Sequence, residues 1–408
     1  MGGFAVLPYL INIRSDKDLV DILEKINADK RSFPYFRAKK DTYAIFLRDV
    51  DYRAANALKQ EMLSRGGDAI VHRNVIQGTI DKSDVVLLGT ISSLEKLAKK
   101  LEAMPYWGLE KIKGELEKFF QNLAIKGWNI VLGSGKSIEL NDNTQIMGIL
   151  NITPDSFYST SRAMELDECV KRAFEMKEQG AIILDIGAES SRPGSEPVPA
   201  ETEKERLLPV IQRLRKEGFD LPISVDTTKS EIAKAALGEG ADIINDISAG
   251  ILDPEILRVA AQEKAPIILM HMKGTPKTMQ LNPHYNNLLG ELLDFFKERM
   301  DAAHKAGVDT NKIILDPGLG FGKTKDHNLM ILKNLKAFAG LGRPILIGHS
   351  RKSTIGAVLK KDDPKDRLQG TLAITALCAW QDVPIVRVHD VRENYDVVRM
   401  INAIKEVK

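Results

Sequence analysis

Polar side chains able to do chemistry recur at one kind of place in this 408-residue chain, the end of a short apolar run. Asn151 closes QIMGILN, Asp185 falls in AIILDIG, Asp226 in PISVDT, Asn245 and Asp246 in DIINDIS, and His271 in PIILMHM. Asp316 falls in KIILDPG, His349 and Ser350 in PILIGHS, and Arg387 and His389 in PIVRVHD. Two chemistries follow from these types. Arg387 and His389, with Asn151 and with Arg192 of ESSRPGS, make a clamp the size of a diphosphate. A guanidinium suits that task because its planar fork offers paired donors to phosphate oxygens. The Asn151 amide oxygen could complete the shell of a Mg²⁺ that bridges those oxygens. Asp226, Asn245 and Asp316, with Lys352 of HSRKS, fit a flat heterocycle instead. Carboxylates accept the two parallel N–H donors of an amidine-like edge, while the amide and ammonium answer ring acceptors and an exocyclic oxygen. Plainer roles stand beside these: Arg387 in a surface pair with Asp390 or Asp396, and Asp226 or Asp316 as helix N-caps.

Eight such runs alternate with stretches of helical spacing, among them LDECVKRAFEMKEQG and NLMILKNLKAFAG. That grammar predicts an α/β fold, a (β/α)₈ TIM barrel over residues 124–408, opened by the hairpin NIVLGSGKSIEL. In this architecture the C-terminal strand ends form the active-site mouth, which is where the polar residues fall. An open dinucleotide-binding sheet would carry GxGxxG after its first strand, and none is present. Residues 1–123 read as a small α/β domain. FAVLPYLINI, YAIFLRDV, DAIVHRNVI and DVVLLGT are strand-like, and helical segments with mixed or antiparallel pairing lie between them. No catalytic constellation stands out there.

Composition narrows the class. Fifty-eight basic and 56 acidic residues leave a net charge of +2, which gives no bulk attraction for nucleic acid or an anionic membrane. Two isolated cysteines, Cys169 and Cys378, make neither a disulfide framework nor a zinc site. The N-terminus lacks a basic region before its apolar stretch, and no run approaches a membrane span, so a cytoplasmic protein is expected. GSGKS and GFGKT imitate a phosphate-binding loop. Each lacks the earlier glycine, with Ile130 and Pro317 in its place. Met270, Met272 and Met279 read as pocket lining.

MGILNITPDSF, DIGAESSRPGS, SVDTTK, INDISAG, LMHMKGTP, LDPGLGFGKT, SRKSTIG and RVHDV resemble, in order, the signature blocks of dihydropteroate synthases, from about Ile146 onward. The resemblance implies that Asp226, Asn245, Asp316 and Lys352 hold a pterin. Asn151, Arg192, Arg387 and His389 would hold diphosphate, Asn151 through Mg²⁺. Ser353, Phe321, Ser191 and Pro193 would frame 4-aminobenzoate, and Phe157 would belong to the first loop. It also implies a homodimer and a reaction in which diphosphate leaves the pterin methylene and an aryl amine takes its place. Three departures accompany it. The first loop reads SFYSTS, so Ser159 stands where the family carries an acid. Ala188 and Ser191 replace a glycine and a threonine. His349 stands where a small or apolar residue is commoner, and packing is its expected role. Two alternatives use similar residues: a methyltetrahydrofolate-dependent methyltransferase, which has no diphosphate to expel, and a non-catalytic pterin-binding protein.

Overall fold

The computed structural model describes residues 11, 13–141, 143–152, 162–189 and 198–407. Two compact units divide after Gln121, the second being Asn122–Val407.

In the first unit the elements run α1 (Asp16–Ile26), α2 (Phe33–Arg37), β1 (Thr42–Asp51), α3 (Tyr52–Leu63), β2 (Asp68–Val71), β3 (Lys82–Thr90), α4 (Ile91–Leu101) and α5 (Leu109–Leu123). The strands form an antiparallel sheet in the order β1-β3-β2. Helix α1 starts at a capping box, with Ser15 and Asp18 each bonding the other's backbone N–H. Leu58, Met62, Val85, Leu87, Leu94 and Leu97 belong to its core. Most of FAVLPYLINI lies outside the described residues.

The second unit opens with the antiparallel hairpin of β4 (Trp128–Val131) and β5 (Ser137–Leu140). Eight β–α repeats follow. They are β6 (Gln145–Asn151), α6 (Arg162–Glu178), β7 (Ile183–Gly187), α7 (Ala200–Lys216), β8 (Ile223–Asp226), α8 (Ser230–Gly238), β9 (Ile243–Asp246) and α9 (Glu255–Gln262). Then come β10 (Ile267–Met270), α10 (Leu288–Lys305), β11 (Ile313–Asp316), α11 (Lys325–Lys333), β12 (Leu346–Ile347), α12 (Ser353–Leu359), α13 (Leu368–Trp380), β13 (Ile385–Val388) and α14 (Val391–Glu406). The eight strands pair in parallel in the order β11-β10-β9-β8-β7-β6-β13-β12. A parallel bridge between Leu315 and Ile345 joins the two ends of that order, so the sheet closes into the expected barrel.

Apolar residues of two kinds hold the barrel. Outward residues such as Leu184, Ile186, Ile244 and Leu315 pack with the helices. Inward residues Met147, Ile183, Ile243, Ile268, Ile314 and Ile385 form a floor with Ile130, Leu132, Ile138 and Leu140 of the hairpin. The hairpin therefore plugs the end opposite the polar rim. Ile130 is fully buried in that plug, and Ile130→Ala should cost about 2–4 kcal/mol through the cavity it leaves. Urea unfolding followed by fluorescence would check this, and an unchanged midpoint would rule out the hairpin as part of the core.

Candidate functional site

Strand pleating decides which polar residues face the barrel axis. Side chains two apart share a face. Above the floor residues Ile183, Ile243, Ile314 and Ile385 stand Asp185, Asn245, Asp316 and Arg387. Ladder register sets Asp226 level with Asn245 on one side and Gly187 on the other.

These groups meet. The Arg387 guanidinium donates from Nε to Asp185 Oδ2 at 2.5 Å and from Nη2 to Asp226 Oδ2 at 2.8 Å. Asn245 Nδ2 lies 3.3 and 3.2 Å from the two oxygens of Asp185. Asp185 is fully buried, and the side chains of Arg387 and Asp226 keep only 18% and 14% of their exposure. A charge pair so dehydrated persists because each partner would be costly alone. The surface-pair alternative for Arg387 does not hold, since Asp390 pairs with Arg351 and Asp396 with Arg392. Capping does not explain Asp226 either, because Lys229 is the residue before α8 and the cap makes no side-chain bond.

Asp316 and Lys352 form the neighbouring group. Asp316 Oδ1 accepts from Gly318 N at 2.7 Å, which fixes the turn after β11 while Thr324 caps α11. Lys352 Nζ donates to the Leu319 carbonyl and lies 4.2 Å over the Phe321 ring. Phe321 packs with Ile247, Met270, Met272 and Met279 in one buried apolar cluster. Ser353 opens α12 directly after Lys352 and is exposed.

Burial sets the charges. It pushes the Asp226 carboxyl up to about 7, with Arg387 pulling the other way and Asp185 adding to the rise. Burial also raises Asp316, against the pull of Lys352, and it brings Lys352 down to about 8, against Asp316. Arg387 acts on Asp226, Asp316 and Lys352, and both carboxylates act on Lys352, so the four form one electrostatic cluster.

Asn151 and His389 stand at the C-terminal ends of the neighbouring strands β6 and β13. Asn151 ends β6 opposite Gly187 and is half-buried. His389 meets the Ser350 hydroxyl through Nδ1 at 3.0 Å and through its backbone N–H at 3.2 Å. Among the described residues no three His, Cys, Asp or Glu side chains gather into a metal cage. Asn151 is a neutral oxygen donor. It fits a hard cation that keeps phosphate and water for its other ligands. Phe157, Ser159, Ser191, Arg192 and Pro193 lie outside the described residues. At the near edge of the second loop, Lys229 bonds both Glu189 and the fully buried Glu203 at 2.6 Å.

Three polar strand ends do not join the mouth, which corrects the expectation that the rim uses them all. Asp246 turns outward and accepts from Ser248 and Gly250, locking the turn before α9. His271 packs edge-on against Phe295 of α10. His349 is buried against α13, with Nε2 at 2.8 Å from Thr375 Oγ1, so packing is its role, with hydrogen bonds added. Each stands one residue away from an inward position, and pleating sends it to the other face. Conversely, Asp185 is central to the cluster although it carried no assigned role. Its spacing of two from Ile183 was the available signal.

Comparisons with known proteins point to one family. Residues 147–389 match the pterin binding enzyme family. The dihydropteroate synthase of Synechocystis is 48% identical over 261 residues, 64% of this chain and 90% of that protein. A probable bifunctional folylpolyglutamate synthase/dihydropteroate synthase of Halobacterium salinarum is 38% identical over 395 residues, 97% of this chain, which spans 47% of that protein's length. That match is long enough to take in most of the N-terminal unit as well as the barrel. The structure of Xanthomonas albilineans dihydropteroate synthase with 4-aminobenzoic acid superposes with a TM-score of 0.63 at 38% identity, over 69% of this chain and 100% of that one. With the barrel, its inward cluster and these matches in agreement, the chain belongs to the dihydropteroate synthase family of pterin-binding enzymes.

Proposed function

We propose that the cluster at the barrel mouth holds 6-hydroxymethyl-7,8-dihydropterin diphosphate beside 4-aminobenzoate and joins them into 7,8-dihydropteroate with release of diphosphate. The observation that carries this reading is the inward array of Asp185, Asp226, Asn245 and Arg387 next to Asp316 and Lys352. Carboxylates fixed by a buried guanidinium are preset acceptors for the amino and ring N–H groups of a pterin. Lys352 and the Asn245 amide complement its ring nitrogen and oxygen acceptors.

In the reaction the bond between the pterin methylene and the diphosphate oxygen breaks, and its electrons leave with the diphosphate. The aryl amine nitrogen then bonds the methylene carbon and loses a proton. An aromatic amine is neutral near pH 7 and attacks directly, so no side-chain nucleophile is required. Arg192, Arg387 and His389 are assigned to the departing anion, whose charge fixed donors stabilise as it develops. Asn151 is the residue assigned to hold Mg²⁺, which when bound supplies further neutralisation of that anion. Phe321, Ser353, Ser191 and Pro193 are assigned to the aminobenzoate, and Phe157 to the first loop. A homodimer in the cytoplasm completes the proposal. No helix among the described residues is long and apolar enough to cross a membrane.

A coupled diphosphate assay tests the proposal. Release should require both the dihydropterin substrate and Mg²⁺, and dihydropteroate should form only when 4-aminobenzoate is added. No release under these conditions would leave a pterin-binding role alone.

The cluster also predicts a pH window for pterin binding. Below about pH 7 Asp226 gains a proton and loses acceptor strength. Above about pH 8 Lys352 loses its proton and its charge. Affinity should therefore peak between these values and fall on both sides. Calorimetric titration of a dihydropterin analogue across this range would show a bell, whereas a flat profile would exclude both groups from the contact.

A further inference from the structure

One buried cation near the mouth has no part in the chemistry above. Lys323 is 2% exposed. Its Nζ donates to the carbonyl oxygens of Gly318 and Phe321 at 3.0 Å and of His271 at 3.2 Å, and it lies 2.9 Å from His271 Nδ1. Carbonyl oxygens only accept, so three of them call for three N–H bonds, which an ammonium has and a neutral amine lacks. Burial pushes Lys323 well below its ordinary value, with Asp316 acting against it, while hydrogen bonds to carbonyl oxygens favour the charged form. His271 is driven down to about 2, chiefly by burial, and is therefore a neutral ring, whose Nδ1 lone pair can share one of the three ammonium hydrogens with a carbonyl.

The loop is built around this cage. Gly318, Gly320 and Gly322 all adopt left-handed backbone, with φ of 66°, 82° and 63°. A Cβ on Gly318 would come within 2.1 Å of the His271 oxygen, and one on Gly322 within 2.4 Å of the Lys273 oxygen. A loop this tight closes on its own lysine. Phe321, whose carbonyl is caged, lies under the Lys352 ammonium, and Leu319, two residues earlier, accepts from that same ammonium.

We propose that Lys323 is a positioning residue: its caged ammonium fixes the loop of residues 317–322 from below, and so sets where Phe321 and the Leu319 carbonyl meet the aryl-amine substrate and Lys352. The inference rests on the assignment of Phe321 to aminobenzoate. GFGKT, which fails as a phosphate loop, thereby has a structural reason for its lysine.

The test compares three variants by steady-state kinetics on the full chain. Lys323→Met keeps the length and removes every donor. The KM for 4-aminobenzoate should rise about 10-fold or more, since small displacements of a positioned wall are costly. The Kd of a dihydropterin analogue should rise by a clearly smaller factor, because only Asp316 and Lys352 of the pterin group touch the loop, while the bonds among Asp185, Asp226, Asn245 and Arg387 do not. His271→Leu removes one acceptor and should raise the same KM in the same direction by a smaller factor, which serves if Lys323→Met does not fold. A lowered thermal midpoint with both substrate constants unchanged would overturn the proposal. Phe321→Ala separates the two readings. If it leaves the aminobenzoate KM untouched, the assignment of Phe321 fails. If it raises that KM while both cage variants do not, only the positioning role of Lys323 fails.

Discussion

Arg387→Met should lower kcat/KM by about 10²–10⁴-fold and reduce the unfolding midpoint of the same protein. Both effects have one cause. Arg387 bonds Asp185 and Asp226 at once, and breaking a buried pair by removing one partner costs about 3–5 kcal/mol. At about 1.4 kcal/mol per decade, that range gives the predicted loss if the strain falls on the substrate-bound state. The pH dependence carries the sign. Arg387 holds the Asp226 carboxyl down against burial. Without it the value rises above about 7, and the acid limb of the kcat/KM profile moves to higher pH. Arg387→Lys keeps the charge but cannot reach both carboxylates with fixed geometry, so it should fall between the two proteins. A methionine variant within about threefold of the parent, with the acid limb in place, would remove Arg387 from the site.

The barrel was legible in the sequence because its signals are local. Each strand is a short apolar run, each helix a periodic one, and the hairpin carries its turn at Gly133–Gly135. The charged cluster was legible for the same reason, as Asp226, Asn245 and Asp316 stand at strand ends and Lys352 follows one. What the sequence reading blurred was the face. Asp246, His271 and His349 lie next to inward positions, and a strand-end rule that ignores the period of two assigns them to the mouth. Counting from Ile183 would have added Asp185, and counting from Ile243 would have set Asp246 aside. Partners far along the chain were not legible at all. Asp185 and Arg387 are 202 residues apart, and no local pattern announces their bond. Lys323 was hidden differently, because its acceptors are backbone carbonyls, which every residue possesses. The N-terminal unit shows a third limit. Its fold follows from its periodicity, but two recesses on its surface, of about 390 and 400 Å³, bring no catalytic constellation with them. The recess lined by Ser64, Arg65, Lys96, Lys99 and Lys100 is a cluster of surface cations.

Lys352→Met should weaken binding of a dihydropterin analogue by about 10²-fold or more, the range expected when one member of a buried charged group is truncated. The loss has two parts. The direct part is the ammonium contact to the ring. The indirect part acts through Asp316, whose carboxyl burial already raises and which Lys352 holds down. Once Lys352 is gone, the Asp316 carboxyl rises further, so an acceptor for the pterin is weakened as well. The two residues should therefore be strongly coupled. Asp316→Asn alone should weaken binding by a large factor, yet in the Lys352→Met background it should add less, because that background has already weakened the carboxylate as an acceptor. A double-mutant cycle on the pterin analogue measures this. Additive losses would mean that Lys352 and Asp316 act on separate parts of the ligand, and unchanged affinity in Lys352→Met would take the pterin out of this part of the mouth. Phe321, 4.2 Å beneath the ammonium, supplies an internal control, since its ring loses a cation but keeps its methionine neighbours. The KM for 4-aminobenzoate should accordingly change less than the affinity for the pterin in this variant, the reverse of the order expected for Lys323→Met.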